Sequence, residues 1–204
     1  MKEISCYISE KLVVSKPDKQ ASYSCQPNSK DELIEILEQR LEKDKDADLN
    51  DIDVSLVKDM SYLFDRLEPH DIDISQWDVS NVKNMGGMFF DCRGFNADLS
   101  SWDVSNVVKM YSTFENCKNF NSDLSQWDVS NAEDMNSMFY NCSKFNSDLS
   151  QWDVSNAIDM HFMFYNCNSF NSDLSQWDVS KVKYMDSMFY SCSSLRKKPS
   201  WYRG

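Results

Sequence analysis

The sequence predicts an α/β solenoid in which each 25-residue coil contributes one short parallel strand and one short helix, entered through an N-terminal helical cap. Three observations predict it. From Asp73 to Ser194 the chain repeats every 25 residues, almost letter for letter. The apolar spacing changes within each unit from strand-like to helical. An amphipathic stretch stands just before the first unit. A repeat of this length cannot bury its apolar face alone, and does so by stacking on copies of itself.

The repeat is carried by four apolar positions. Trp77, Trp102, Trp127, Trp152 and Trp177 form one series, and Met85, Met110, Met135, Met160 and Met185 a second. Phe89, Phe114, Phe139, Phe164 and Phe189 form a third, and Cys92, Cys117, Cys142, Cys167 and Cys192 a fourth. Aligning Asp48–Ser55 with Asp98–Ser105 places Ile52 in the Trp position and adds an earlier, divergent unit with Leu67 for Cys and His70 for a core Phe. Six units then start at Asp48, Asp73, Asp98, Asp123, Asp148 and Asp173, and the repeats span residues 47–197. Residues 198–204 form a C-terminal tail whose Trp201 falls one residue short of the next Trp position and is placed to fold over the open end.

Inside a unit, Leu99, Trp102 and Val104 point one way and Ser101, Asp103 and Ser105 the other, which predicts a strand. Val107, Met110, Phe114 and Cys117 recur at three- and four-residue steps, which predicts a helix. Asn116, Asn141 and Asn166 suit a left-handed residue at its end. Ahead of the repeats, Ser29 with Glu32 fits a capping box, and Leu33, Ile34, Ile36, Leu37 and Leu41 line one side of a helix. Residues 1–46 are therefore an N-terminal cap, in which Ile4 to Val14 suggest one or two further short strands.

Composition excludes several functions. The net charge of −12 argues against nucleic acid, whose phosphates need clustered Lys and Arg, and favours a basic protein or a cation. No run of about 18 apolar residues occurs to span a bilayer. The first residues make a poor secretory leader, so the chain as written is expected in the cytoplasm. The seven cysteines are odd in number, five share one repeat position, and no close pair suggests a metal site, so they are expected as buried small hydrophobes. No phosphate loop, zinc spacing or catalytic triad appears around His70 or His161. The expectation is a non-enzymatic protein with no cofactor.

The spacing Leu99-x-x-Trp102-x-Val104-x-x-Val107, then Met110-x-x-x-Phe114-x-x-Cys117-x-x-Phe120, resembles a leucine-rich repeat of the bacterial surface-protein type. More narrowly, DLSQWDVSN followed by M-x-x-M-F-x-x-C-x-x-F-N resembles the BspA-like repeats. The resemblance covers residues 47 to about 195 and implies a right-handed solenoid. It also implies adhesion or protein binding, commonly at the cell surface or after secretion.

The candidate site is the Asp-Val-Ser triplet of each unit. Val is core, whereas Asp53, Asp78, Asp103, Asp128, Asp153 and Asp178, with Ser80, Ser105, Ser130 and Ser155, are expected in rows on the exposed sheet face. Carboxylates stacked about 5 Å apart repel by roughly 0.8 kcal/mol in water and about 3 kcal/mol at an effective dielectric near 20. Hydrogen bonds to backbone amides or to the serines would offset this structurally. A basic protein partner, or calcium held between coils, would offset it functionally. A second row, Asp48, Asp73, Asp98, Asp123, Asp148 and Asp173, is expected to bond its own backbone two residues on. The outer residues of the expected helices vary most and are either relaxed surface or a tuned recognition face.

Overall fold

The computed structural model describes residues 23–203. The strands suggested between Ile4 and Val14, and Cys6, lie outside the described residues. Among the described residues the one α-helix is α1, Lys30–Lys43. Ser29 adopts extended backbone and its hydroxyl accepts from the Glu32 amide, while the Glu32 carboxylate accepts from the Asn28 amide. That is the reciprocal cap the sequence spells. Leu33, Leu37 and Leu41 are buried against the first unit, and Lys30 donates to the Ser61 carbonyl and hydroxyl of that unit. Beside α1, Cys25 pairs in parallel with Ile52, an extra rung below the first repeat.

From Asp48 onward the units stack in register. A row of parallel bridges runs Asp59–Asn84–Lys109–Asp134–Asp159–Tyr184, one residue per unit, and a further parallel bridge joins Asp48 to Asp73. The strand and helix expected in each coil are replaced by a chain of tight turns. The Met110, Ser112, Phe114 and Asn116 amides donate not four residues back, as a helix requires, but to the Asp134, Asn136, Met138 and Tyr140 carbonyls of the next coil at 2.8–2.9 Å. The intervening Thr113, Glu115 and Cys117 amides close turns onto Met110, Ser112 and Phe114. From the second coil on, two residues per coil have positive φ, Ser112 (51°) and Asn116 (65°) in this one, which no α-helix tolerates; the first coil has three, Tyr62, Arg66 and Glu68. Asn116, Asn141 and Asn166 are left-handed as their residue type suggested, but inside turns. The expected strand differs too. Trp102 and Val107 donate to Leu99 and Val104, so both halves of that segment are three-residue turns.

The core is built of ladders. The Trp, Met, Phe and Cys series are buried through the middle coils. Consecutive rings from Phe64 to Phe189 stack at 5.1–5.7 Å, and Phe95, Phe120, Phe145 and Phe170 form a parallel stack at 5.8–6.0 Å. Each turn carbonyl that accepts its own closing amide can accept once more, and the next coil's side chains supply the second donor. Each indole N–H from Trp77 to Trp177 donates to the inward Leu or Ile carbonyl 28 residues back, at 2.9–3.0 Å. The thiols of Cys117, Cys142, Cys167 and Cys192 do the same to Phe carbonyls at 2.8–3.0 Å. Burial pushes the Cys92 thiol up to about 12 and that of Cys192 to about 11.

The ends depart from the repeat. His70 is exposed rather than core, because Pro69 takes the buried place beside it. Trp201 is half-buried, stacks on Trp177 at 6.3 Å and donates to Leu174, continuing the ladder one residue early.

Candidate functional site

The Asp-Val-Ser triplets lie off the bridge row, so the acidic face is a turn surface and not a sheet. Asp78, Asp103, Asp128, Asp153 and Asp178 are exposed, and Asp53 is half-exposed beside Gln26, which donates to it. The alternation of Val inward and Asp outward follows from the turn that Val104 opens and Val107 closes. Each carboxylate is held by its own turn. The amides of Ser55, Ser80, Ser105, Ser130, Ser155 and Ser180 donate to the Oδ1 atom two residues before, at 2.9–3.0 Å. Asp is short enough to make this bond without distorting the backbone. The serines are held from the other side, since Asn106, Asn131 and Asn156 donate to the carbonyls of Ser80, Ser105 and Ser130.

These bonds decide the electrostatics of the row. The Ser105 hydroxyl and amide hold the Asp103 carboxyl below the usual carboxylate range. At Asp153 the Ser155 amide and hydroxyl lower it, against the opposing charge of Asp178. The Ser180 amide does the same for Asp178. At Asp103, Asp153 and Asp178 hydrogen bonding thus outweighs neighbour repulsion. The second row behaves alike: amides two residues on donate to Asp48, Asp73, Asp98, Asp123, Asp148 and Asp173 at 2.9–3.0 Å. Among the described residues no group of three or more His, Cys, Asp or Glu side chains is arranged to hold a metal ion.

The variable face contains something the sequence reasoning missed. Tyr140, Tyr165 and Tyr190 stack at 4.7–4.8 Å, with Phe162 edge-on to Tyr140 and Tyr165. In the early coils Tyr62 lies against Phe90 and Tyr111. A Cβ built on Gly87 would stand 2.3 Å from the Tyr62 ring, and one on Gly86 2.3 Å from Tyr111, so the glycines clear the space these rings occupy. Tyr62 and Phe162 hold φ of 53° and 57° where sister coils place Gly or Ser. The 25-residue recurrence of Tyr140, Tyr165 and Tyr190 was a signal available beforehand. Met88, Met138 and Met163 beneath this face are fully buried. His161 pairs with Asp159 here.

A family model described as "Mycoplasma protein of unknown function, DUF285" matches residues 34–148 and 123–202. No curated protein and no solved structure matches the chain. Among the described residues no helix is long and apolar enough to cross a membrane.

Proposed function

The chain belongs to the DUF285 family, whose function is unknown, and on that footing we propose that it is a non-enzymatic, protein-binding solenoid scaffold. Its contact surface is the row Asp53, Asp78, Asp103, Asp128, Asp153 and Asp178, and its partner is a basic protein. One observation carries this reading: exposed carboxylates recur once per coil, each fixed by a serine amide at 2.9–3.0 Å and therefore preorganised. A rigid charged row loses little side-chain entropy when a complementary surface docks. The resemblance of the repeats to the BspA-like, leucine-rich type supports an adhesion role and a right-handed solenoid at the cell surface or outside the cell.

The test compares two fourfold variants of equal charge. Asp103→Asn, Asp128→Asn, Asp153→Asn and Asp178→Asn neutralise the proposed contact row. Asp98→Asn, Asp123→Asn, Asp148→Asn and Asp173→Asn neutralise the second row. Asn retains the oxygen that accepts the amide, so both should fold. With an oligolysine peptide as probe, the first variant should bind at least tenfold more weakly than the second and with a flatter salt dependence. Equal losses in both would show that net charge, and not this row, governs binding.

A further inference from the structure

The face that carries the bridge row has a polarity running along the stack. It comprises residues 58–62 of the first coil and their counterparts 83–87, 108–112, 133–137, 158–162 and 183–187. In the first three coils these positions carry Lys58, Lys83 and Lys109 against Asp59. In the last three they carry Glu133, Asp134, Asp159 and Asp186 against Lys183. One half is therefore basic and the other acidic, on a chain whose net charge is −12. Lys30 adds to the basic half, since it lies against Ser61 and Asp59. All of these face charges from residue 58 onward are exposed or half-exposed.

Aromatic rings share the face and gather in two groups, one in each half. Tyr62, Phe90 and Tyr111 collect over Gly86 and Gly87, and Tyr62 is 45% exposed. Phe162 stands edge-on to Tyr140 and Tyr165. It is half-exposed, and its left-handed backbone (φ 57°) holds a ring where the neighbouring coils place Ser137 and Ser187. The coil itself does not need an aromatic side chain there, because serine serves at the same position on either side.

The order of charge selects the occupant. A two-fold axis running across the face between the third and fourth coils sets coil one of one copy against coil six of the other, two against five and three against four. Lys109 then meets Glu133 and Asp134, Lys83 meets Asp159, and Asp59 meets Lys183. Phe162 meets the rings over Gly86 and Gly87, and Phe90 meets Tyr165. Parallel docking would instead set each charge against its own copy. We propose that the chain forms an antiparallel, isologous dimer through this face, with a second copy of itself as the partner. Opposite charges fix the register, and the rings supply the apolar centre. The aspartate row lies outside the contact.

Sedimentation equilibrium of the full chain, from micromolar to millimolar concentration, should show monomer passing into dimer. Two variants test the pairing: Lys83→Glu with Lys109→Asp, and Asp134→Lys with Asp159→Lys. Each introduces a residue type that a sister coil already holds in the same column, at Glu133, Asp59 or Lys109, so both should fold. Either variant alone should dimerise at least tenfold more weakly. An equimolar mixture should recover the dimer, because the reversed charges then face each other. On the unaltered chain, carbodiimide coupling should join Lys83 to Asp159. Within one chain these lie three coils apart, about 14 Å, so this direct link forms only between copies. A chain that stays monomeric throughout overturns the proposal and leaves the face to a foreign partner. A dimer that neither variant weakens, that the mixture fails to restore, or that couples only through other pairs overturns it as well. The fourfold variant of the aspartate row should dimerise as the unaltered chain does, and loss of the dimer there would move the contact to that row.

Discussion

Trp127 ties two coils together with one atom. Its indole N–H meets the Leu99 carbonyl at 2.9 Å while its ring sits in the core, 4% exposed. Trp127→Phe removes this second donor, leaves the Leu99 carbonyl with the Trp102 amide alone and opens a small void. The expected cost is roughly 1–3 kcal/mol, read from urea unfolding followed by circular dichroism. The aspartates make a different prediction. Hydrogen bonds hold the carboxyls of Asp103, Asp123, Asp148 and Asp153 below their ordinary value. A group depressed in the folded state contributes stability above its unfolded pKa of about 3.9, and that contribution is lost as pH falls through the folded value. Stability should therefore stay level from neutral pH down to about 5 and decline below about 4. Replacing these four by Asn should flatten the acid limb of a pH titration of the melting temperature. That Asp points outward and Trp inward was legible in the alternation of Leu99, Trp102 and Val104 with Ser101, Asp103 and Ser105. The indole acceptor was not, because it lies 28 residues away on another coil.

At the scale of the element, α1 was readable because its cap, charge pattern and apolar side are all local. Ser29 begins it, Asp31 and Glu32 occupy its first turn, and Arg40 and Lys43 its last, as the helix dipole favours. The coil interior was misread for a definable reason. Val107, Met110, Phe114 and Cys117 step by three and four residues, and a succession of three-residue turns places side chains inward at nearly the same spacing as a helix. The discriminating clue lay in the positions that must be left-handed. Gly87, Ser112, Ser137 and Ser187 share one column with Tyr62 and Phe162, and small residues suit positive φ better than aromatic ones. Phe162→Gly should relieve this strain and raise stability by about 1 kcal/mol, less whatever its contacts with Tyr140 and Tyr165 contribute. Thermal unfolding would show it. A loss of more than about 1 kcal/mol would mean that the aromatic cluster, and not the backbone, governs that position.

For the molecule as a whole, each coil contacts its immediate neighbours through bonds spanning 23 to 28 residues, all set by one period. Deleting residues 123–147 therefore joins Ser122 to Asp148 without breaking register. The shortened chain should fold, unfold in a single transition and show a smaller denaturant dependence, because less surface is exposed on unfolding. Equilibrium urea unfolding tests this, and a change of any other number of residues should be far more damaging.

The period, the identity of the buried ladders, the helical cap and the outward aspartates follow from the order of residues alone, since each is a statement about spacing. Where the backbone amides go could be learned only from the folded coils. A side chain's inward step of three residues is the same in a helix and in a turn, and what separates them is an acceptor supplied by the neighbouring coil.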